Sequence, residues 1–216
     1  MTVEVNGFLV AAHELKAPLC LLRQLALALD VAPTDEQKSR LQSQIVEVSD
    51  RALRQVNDLS KIARLEDGLF ATEPVSVRGV CESVLQELSP LFRYERRKLS
   101  FSYVNKSRLA IANRDLLYSV IYNFCVNALR YSESESESHL TVSDTHDKIR
   151  VSVRDFGPAL PMSVWRELNG GYLAAPTSIA MRPGSSGLGL YIASEFARYM
   201  HARFVELPVS KQASLL

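Results

Sequence analysis

His13 lies on a stretch of helical periodicity with Lys16, Cys20, Arg23 and Gln24 at helical spacing beside an apolar seam, so its imidazole is expected to project outward. A neutral imidazole is a competent nucleophile near neutral pH. A neighbouring carboxylate, here Glu14, can hold the proton on one ring nitrogen while the other attacks. Pro18 follows inside the same helix, where it removes the hydrogen bond to the carbonyl of Glu14 and clashes with that turn. An interior proline costs a helix roughly 3 kcal/mol and is rarely idle. A bend beside a reactive histidine is the expectation.

Three further groups lie downstream. Asn123, Asn127 and Tyr131 recur at i, i+4 and i+8, so they share one helix face with Arg130 beside it, opposite a core stripe of Leu116, Val120, Ile121, Phe124 and Ala128. Asp155 continues the inward phase of Ile149, Val151 and Val153 along a strand, and a carboxylate on a buried face needs a partner. Gly157 follows it. The run Ser185-Ser186-Gly187-Leu188-Gly189-Leu190 opens a helix, and glycines there let backbone amides reach a phosphate at the positive end of the helix dipole. Singly, these patterns also describe a solvated helix face, an aspartate at a strand exit and a loop-to-helix turn.

Two architectures are needed to position these groups. Phe8, Ala12, Leu15, Leu19, Leu22, Ala26 and Leu29 alternate steps of four and three, which is a heptad seam. After the breaker Val31-Ala32-Pro33, Thr34 and Gln37 have the spacing of a capping box, and Leu41, Ile45, Val48, Ala52, Val56, Leu59 and Ile62 continue a second amphipathic helix. An antiparallel hairpin results, with a stripe broadened by Leu21, Leu25 and Ala28, and pairing with a second copy into a four-helix bundle is the economical way to cover it.

From Val75 the pattern changes to short β-rich runs among helices, an α+β arrangement. Strands are expected at 75–77, 99–104, 109–112, 139–143 and 148–155, helices at 78–92, 115–131 and 163–168, and a last helix from about Gly187. The alternating Ser132 to Ser138 run reads as a solvated loop, and Ala202 to Pro208 as a single closing strand. Residues 1–70 and 71–216 are the expected domains.

Composition narrows the function classes. A formal net charge of +1 from intermixed acids and bases leaves no basic stripe for nucleic acid. Cys20, Cys81 and Cys125 form no zinc pattern with the four histidines and read as reduced core residues. Nothing approaches a membrane-spanning apolar run and no secretory signal pattern opens the chain, so a cytoplasmic location is the expectation.

In this order, the His13-Glu14-Leu15-Lys16-Ala17-Pro18-Leu19 run, the Asn123 to Tyr131 helix, Asp155-Phe156-Gly157 and the Gly187-Leu188-Gly189 turn resemble the successive boxes of sensor histidine kinases of two-component systems. The resemblance spans nearly the whole chain. It implies an α/β sandwich ATP-binding domain of the kind shared with Hsp90, gyrase and MutL, behind a dimeric phosphoacceptor hairpin. It also implies autophosphorylation of His13 from ATP and transfer to an aspartate of a response regulator docked near Leu19 to Gln24.

By the same resemblance Asn123 and Asn127 hold Mg2+ on the phosphates, Arg130 contacts phosphate and Tyr131 packs by the nucleotide. Asp155 meets the adenine amino group, Gly157 gives the base room, and Gly187, Leu188 and Gly189 supply amides. Magnesium suits this donor set, since it takes few protein oxygens and keeps phosphate and water as its other ligands.

The chain departs from the family pattern at Pro158-Ala159, where a second glycine is usual. Ala174 to Ser186 has the length of an ATP lid without a clear phenylalanine box, for which Trp165 or Tyr172 could substitute. Ala17 replaces the Thr or Asn that orients water for dephosphorylating the regulator, which implies weak phosphatase activity. The alternative function is a degenerate kinase acting as a dimeric binding module. An ATPase of the gyrase type fits less well, because Asn123 stands where those enzymes carry a water-activating glutamate. With no sensor segment, the chain reads as an excised core or one whose input comes from another protein.

Overall fold

A computed structural model describes residues 2–104, 108–132, 135–145, 147–158, 162–169, 187–206 and 212–215. Side chains are described within those ranges from Leu15 onward, apart from Thr145, Asn169, Val205, Glu206 and residues 212–215. The chain divides into two compact units: among the described residues, the first holds those up to Arg64 together with Gly187 and Leu188, and the second holds Leu65 to Asn169 and Gly189 onward.

The first unit contains α1 (Thr2–Asp30) and α2 (Asp35–Ala63). Thr34 caps α2 as its spacing foretells: its side-chain oxygen accepts a hydrogen bond from the Gln37 amide at 3.2 Å, and Asp35 and Glu36 add negative charge at the positive end of the helix dipole. α1 continues through Pro18.

The seam is shifted from the expected one. Leu15, Pro18, Leu22, Leu25 and Leu29 are half-buried, whereas Leu19 is 60% exposed and Ala26 also faces out. One α1–α2 pair needs only one apolar stripe, so the surplus lies outside it. Leu27, Val46, Leu53 and Val56 join Leu19 as large exposed apolar side chains. On α2, Val48 and Ala52 are buried, as is Asp58, whose carboxylate pairs with Lys61 Nζ at 3.2 Å.

The second unit begins with β1 (Glu73–Ser76), α3 (Val77–Tyr94), β2 (Lys98–Val104), β3 (Leu109–Ala112) and α4 (Arg114–Tyr131). It continues with β4 (Glu137–Thr145), β5 (Lys148–Arg154), α5 (Met162–Asn169), α6 (Leu188–Tyr199), β6 (Phe204–Glu206) and β7 (Gln212–Leu215). β1 and β3 pair antiparallel, while the larger sheet has the order β2-β4-β5-β7-β6. Only its β2–β4 pair is parallel. The strands alternate: Leu140 and Val142 of β4 and Val151 and Val153 of β5 are buried on the face that packs with α3 and α4. Phe124 of α4 meets Phe204 of β6 edge-to-face, with ring centroids 5.4 Å apart.

Four expectations are corrected here. The carboxyl end supplies two strands, and β7 sits between β5 and β6. Its sequence, Gln212-Ala213-Ser214-Leu215, alternates polar and apolar residues over four positions only, too short a run to announce a strand, and pairing on both edges, rather than propensity, makes it one. The Ser132 to Ser138 run is not wholly solvated. Ser132 and Ser138 are buried, their hydroxyl oxygens 3.1 Å apart, and Ser132 also donates to the Ala128 carbonyl. Trp165 is a core residue of α5 and only 5% exposed, so it is no lid aromatic; Tyr172 and the rest of the lid segment up to Ser186 lie outside the described residues.

The fourth correction concerns the thiols. Cys81 on α3 and Cys125 on α4 are buried, but Cys20 is exposed on α1. Burial pushes the Cys81 thiol up to about 12 and the Cys125 thiol higher still, so neither forms thiolate near neutral pH. A colorimetric thiol titration of the native chain is expected to show fast reaction at Cys20 alone, and at all 3 cysteines after denaturation. Fast reaction of all of them in the native chain would mean that the α3–α4 core opens readily.

Candidate functional site

The site residues of the second unit gather around the last two turns of α4. That helix is anchored at its start by Asn113, whose side-chain oxygen accepts from the amides of Asp115 and Leu116, each at 3.1 Å, while its Nδ2 donates to the Ala71 carbonyl at 3.0 Å. The Asn-x-Asp spacing ahead of a helical stripe is a cap signal, and Asn113 is a residue that a search for chemistry passes over.

Leu116, Val120, Ile121, Phe124 and Ala128 are all buried, so the core stripe falls as the periodicity predicts. Asn123, Asn127 and Tyr131 lie half-buried on another face and Arg130 is exposed. Asn123 donates its Nδ2 hydrogen to the Ser119 carbonyl at 2.9 Å. That bond fixes the rotamer and directs the amide oxygen toward Gly189, where a β-carbon would stand 2.8 Å from Asn123 Oδ1. The first turn of α6 can therefore approach this asparagine because residue 189 lacks a side chain. Gly187 precedes that turn with φ +68°, a left-handed conformation that favours glycine, and Leu188 fixes the helix start with its fully buried side chain. Leu190, Ala193 and Phe196 continue the buried side of α6, and Met200 is half-buried.

The opposite wall is the turn after β5. Asp155 is half-buried, and its Oδ1 accepts a hydrogen bond from the Gly157 amide at 2.7 Å. A β-carbon on Gly157 would lie 2.2 Å from the carbonyl oxygen of Tyr131 and 2.9 Å from Asp155 Oδ1. The turn is thus pressed against the carboxyl end of α4. Phe156 between them is 40% exposed and rests on His139 and Arg154.

The structure thereby places Gly189 against Asn123 in the middle of α4 and Gly157, with Asp155, against Tyr131 at its carboxyl end; Asn127 lies between these two contacts and Arg130 in the last turn. Chemically these residues supply carboxamide oxygens, a carboxylate and a helix amino terminus. Such a set suits a ligand with a hydrogen-bonding base and an anionic tail. The Asn123 amide commits its nitrogen to Ser119, which leaves oxygen as the donor atom it offers, the type Mg2+ prefers. His13 and Glu14 belong to α1 in the other unit, and their side chains lie outside the described residues. Among the described residues no cluster of histidine, cysteine and acidic groups could hold a metal by itself, and no helix is long and apolar enough to cross a membrane.

Comparison with known proteins follows the same lines. Residues 112–212 match the family described as histidine kinase-, DNA gyrase B-, and HSP90-like ATPase. The histidine protein kinase SaeS of Staphylococcus aureus (strain USA300) is 24% identical over 197 residues, which cover 89% of this chain and 56% of that protein. The chain therefore spans about half the length of the curated relatives it matches. Among solved structures, the histidine kinase AdeS of Acinetobacter baumannii superposes with a TM-score of 0.64 at 15% identity, covering 94% of each chain. Full-length ShkA, solved in complex with AMPPNP, superposes with a TM-score of 0.61 at 22% identity over 95% of this chain and 43% of its own. At these identities the structural matches establish the fold.

Proposed function

We propose that this chain, whose residues 112–212 match the histidine kinase-, gyrase- and Hsp90-like ATPase family and which is similar to histidine kinases over most of its length, is a sensor histidine kinase that transfers the γ-phosphoryl group of ATP to its own His13. The observation that carries this reading is the close approach of Gly189 to Asn123 and of Gly157 to Tyr131. These two contacts bring the turn after β5 and the start of α6 against the carboxyl-terminal half of α4, within the segment that matches the ATPase family, which supports the reading.

In this reading Asp155 receives the adenine amino group, Gly157 leaves room for the base and Tyr131 packs beside it. Arg130 and the amides of Gly187, Leu188 and Gly189 receive the phosphates. Asn123 and Asn127 would hold Mg2+, which when bound offsets charge on the triphosphate. Glu14 keeps the proton on one nitrogen of the His13 imidazole while the other attacks the γ-phosphorus. A nitrogen–phosphorus bond forms, the bond from that phosphorus to the bridging oxygen breaks, and ADP leaves with the electron pair. Most of the rate enhancement comes from positioning and charge stabilisation. In the second step an aspartate oxygen of a response regulator takes the phosphoryl group and the imidazole departs. Ala17 beside His13 favours donation of phosphate over its removal from the regulator.

The exposed apolar row of Leu19, Leu27, Val46, Leu53 and Val56 supports pairing of two hairpins into a homodimeric bundle. A membrane-bound sensor whose cytoplasmic core this chain represents accords with the partial coverage of its relatives.

Incubation of the purified chain with ATP labelled at the γ-position and Mg2+ is the direct test. The expected product is a protein-bound label that is labile in acid and stable in alkali, as a phosphorus–nitrogen bond requires. A folded chain that binds ATP and acquires no label would instead make it a binding module without catalysis, the reading that Pro158-Ala159 favours.

A further inference from the structure

Phe156 lies between Asp155 and Gly157, which are joined by a hydrogen bond across it, yet its side chain is 40% exposed. It does not hang free. His139 of β4 and Arg154 of β5 are directly opposed across the strand pair and therefore share the sheet face away from Leu140 and Val153. The Phe156 ring folds back over this pair. It meets the His139 ring edge-to-face, with centroids 6.3 Å apart and planes at 79°, and its face takes the Arg154 guanidinium carbon 5.2 Å from the centroid. His139 is held in turn by Ser100 of β2, its register partner, through a 2.6 Å hydrogen bond between Ser100 Oγ and His139 Nδ1.

We propose that His139 and Arg154 clamp Phe156, that the clamp holds the Asp155–Gly157 turn in the conformation in which Asp155 reads adenine, and that these are positioning residues for base selection. The inference rests on the reading of Asp155 as the adenine partner. Its physical basis is short. The carboxylate of Asp155 is oriented by the 2.7 Å hydrogen bond from the Gly157 amide, and that bond persists only while the intervening backbone keeps its path. Gly157 is the residue of the turn with most freedom, and Phe156 precedes it with a ring held by residues of two strands, one of them braced from a third. Releasing the ring lets the carboxylate rotate. A rotating carboxylate distinguishes poorly between an exocyclic amino group, which donates a hydrogen bond, and the carbonyl oxygen that guanine places there, which it would repel.

The test measures dissociation constants of the full chain for magnesium complexes of ATP and of GTP, beside the thermal unfolding midpoint. Phe156→Ala and His139→Ala are expected to lower the preference for ATP over GTP by roughly three- to tenfold, the scale of one aromatic contact, with little change in the midpoint because the ring is outside the core. Phe156→Tyr and His139→Phe, which keep an aromatic edge against an aromatic face, are expected to retain the preference. An unchanged preference in Phe156→Ala, or a loss that weakens ATP and GTP equally, overturns the clamp. Should Phe156→Ala not fold, Phe156→Leu carries the same two outcomes. A wild-type chain that binds both nucleotides without preference overturns the reading of Asp155 and the inference with it. A selective wild type with equally selective variants overturns the inference alone.

Discussion

Gly157→Ala is expected to cost the chain most of its nucleotide affinity while leaving the hairpin unit folded. The new methyl group would sit 2.2 Å from the Tyr131 carbonyl oxygen and 2.6 Å from its carbon, both backbone atoms at the end of a helix that is buried along its other side. Neither can yield as a flexible side chain does, so the turn itself must shift. The Asp155 carboxylate, which would stand 2.9 Å from the methyl group, shifts with it. Overpacking of this kind typically costs about 1–3 kcal/mol. If the strain falls on the bound conformation, ATP binding weakens roughly 5- to 150-fold. Calorimetric titration with ATP reads that loss directly. A thermal midpoint that drops while the affinity holds would mean that Gly157 serves packing and has no part in the site. Gly189→Ala is a useful contrast, since its methyl group meets the terminal oxygen of a side chain rather than backbone, and Asn123 can yield at the cost of its bond to Ser119.

His13→Ala is expected to remove the acid-labile label altogether, a fall of about a thousandfold or more, as the loss of a covalent nucleophile produces. ATP affinity should stay within about twofold of wild type, because the asparagines, Tyr131, Asp155 and Gly157 named for the nucleotide belong to the other unit. The pair of readouts matters. Loss of label together with loss of ATP binding would indicate a misfolded chain, and label that persists would assign the acceptor elsewhere. Of the other histidines, His139 already engages Ser100 through Nδ1, and His201 lies exposed just beyond α6.

Much of the second unit was legible because its signals are local and redundant. The α4 stripe, the inward phase of Val151 and Val153 and the buried side of α6 each follow from one period applied to one element, and burial confirms them residue by residue. Thr34 was readable for a similar reason, since its capping bond spans only three residues.

What escaped the sequence was settled by partners distant along the chain. The α1 seam runs through Pro18 and Leu25 rather than Leu19 and Ala26. Both choices satisfy a heptad, and only the position of α2 decides between them. Cys20 is exposed for the same reason. The strand at Gln212–Leu215 is too short for its alternation to stand out, and its two neighbouring strands impose it. Ser138 looks like part of a polar repeat until β2 and β5 flank the strand that holds it. The roles of His139 and Phe156 depend on a cross-strand register that no single segment encodes.

The placement of β7 between β5 and β6 has a consequence for how the chain is made. β6 pairs with β7 alone, so although residues 204–206 leave the ribosome first, they have no place in the sheet until residues 212–215 have followed. Through that interval β5 presents an open edge next to the turn that carries Asp155. A bare strand edge is a template for pairing with another nascent or misfolded chain. β7 therefore closes the β5 edge beside that turn, and removal of residues 212–215 would bare the β5 edge and leave β6 with no partner in the sheet.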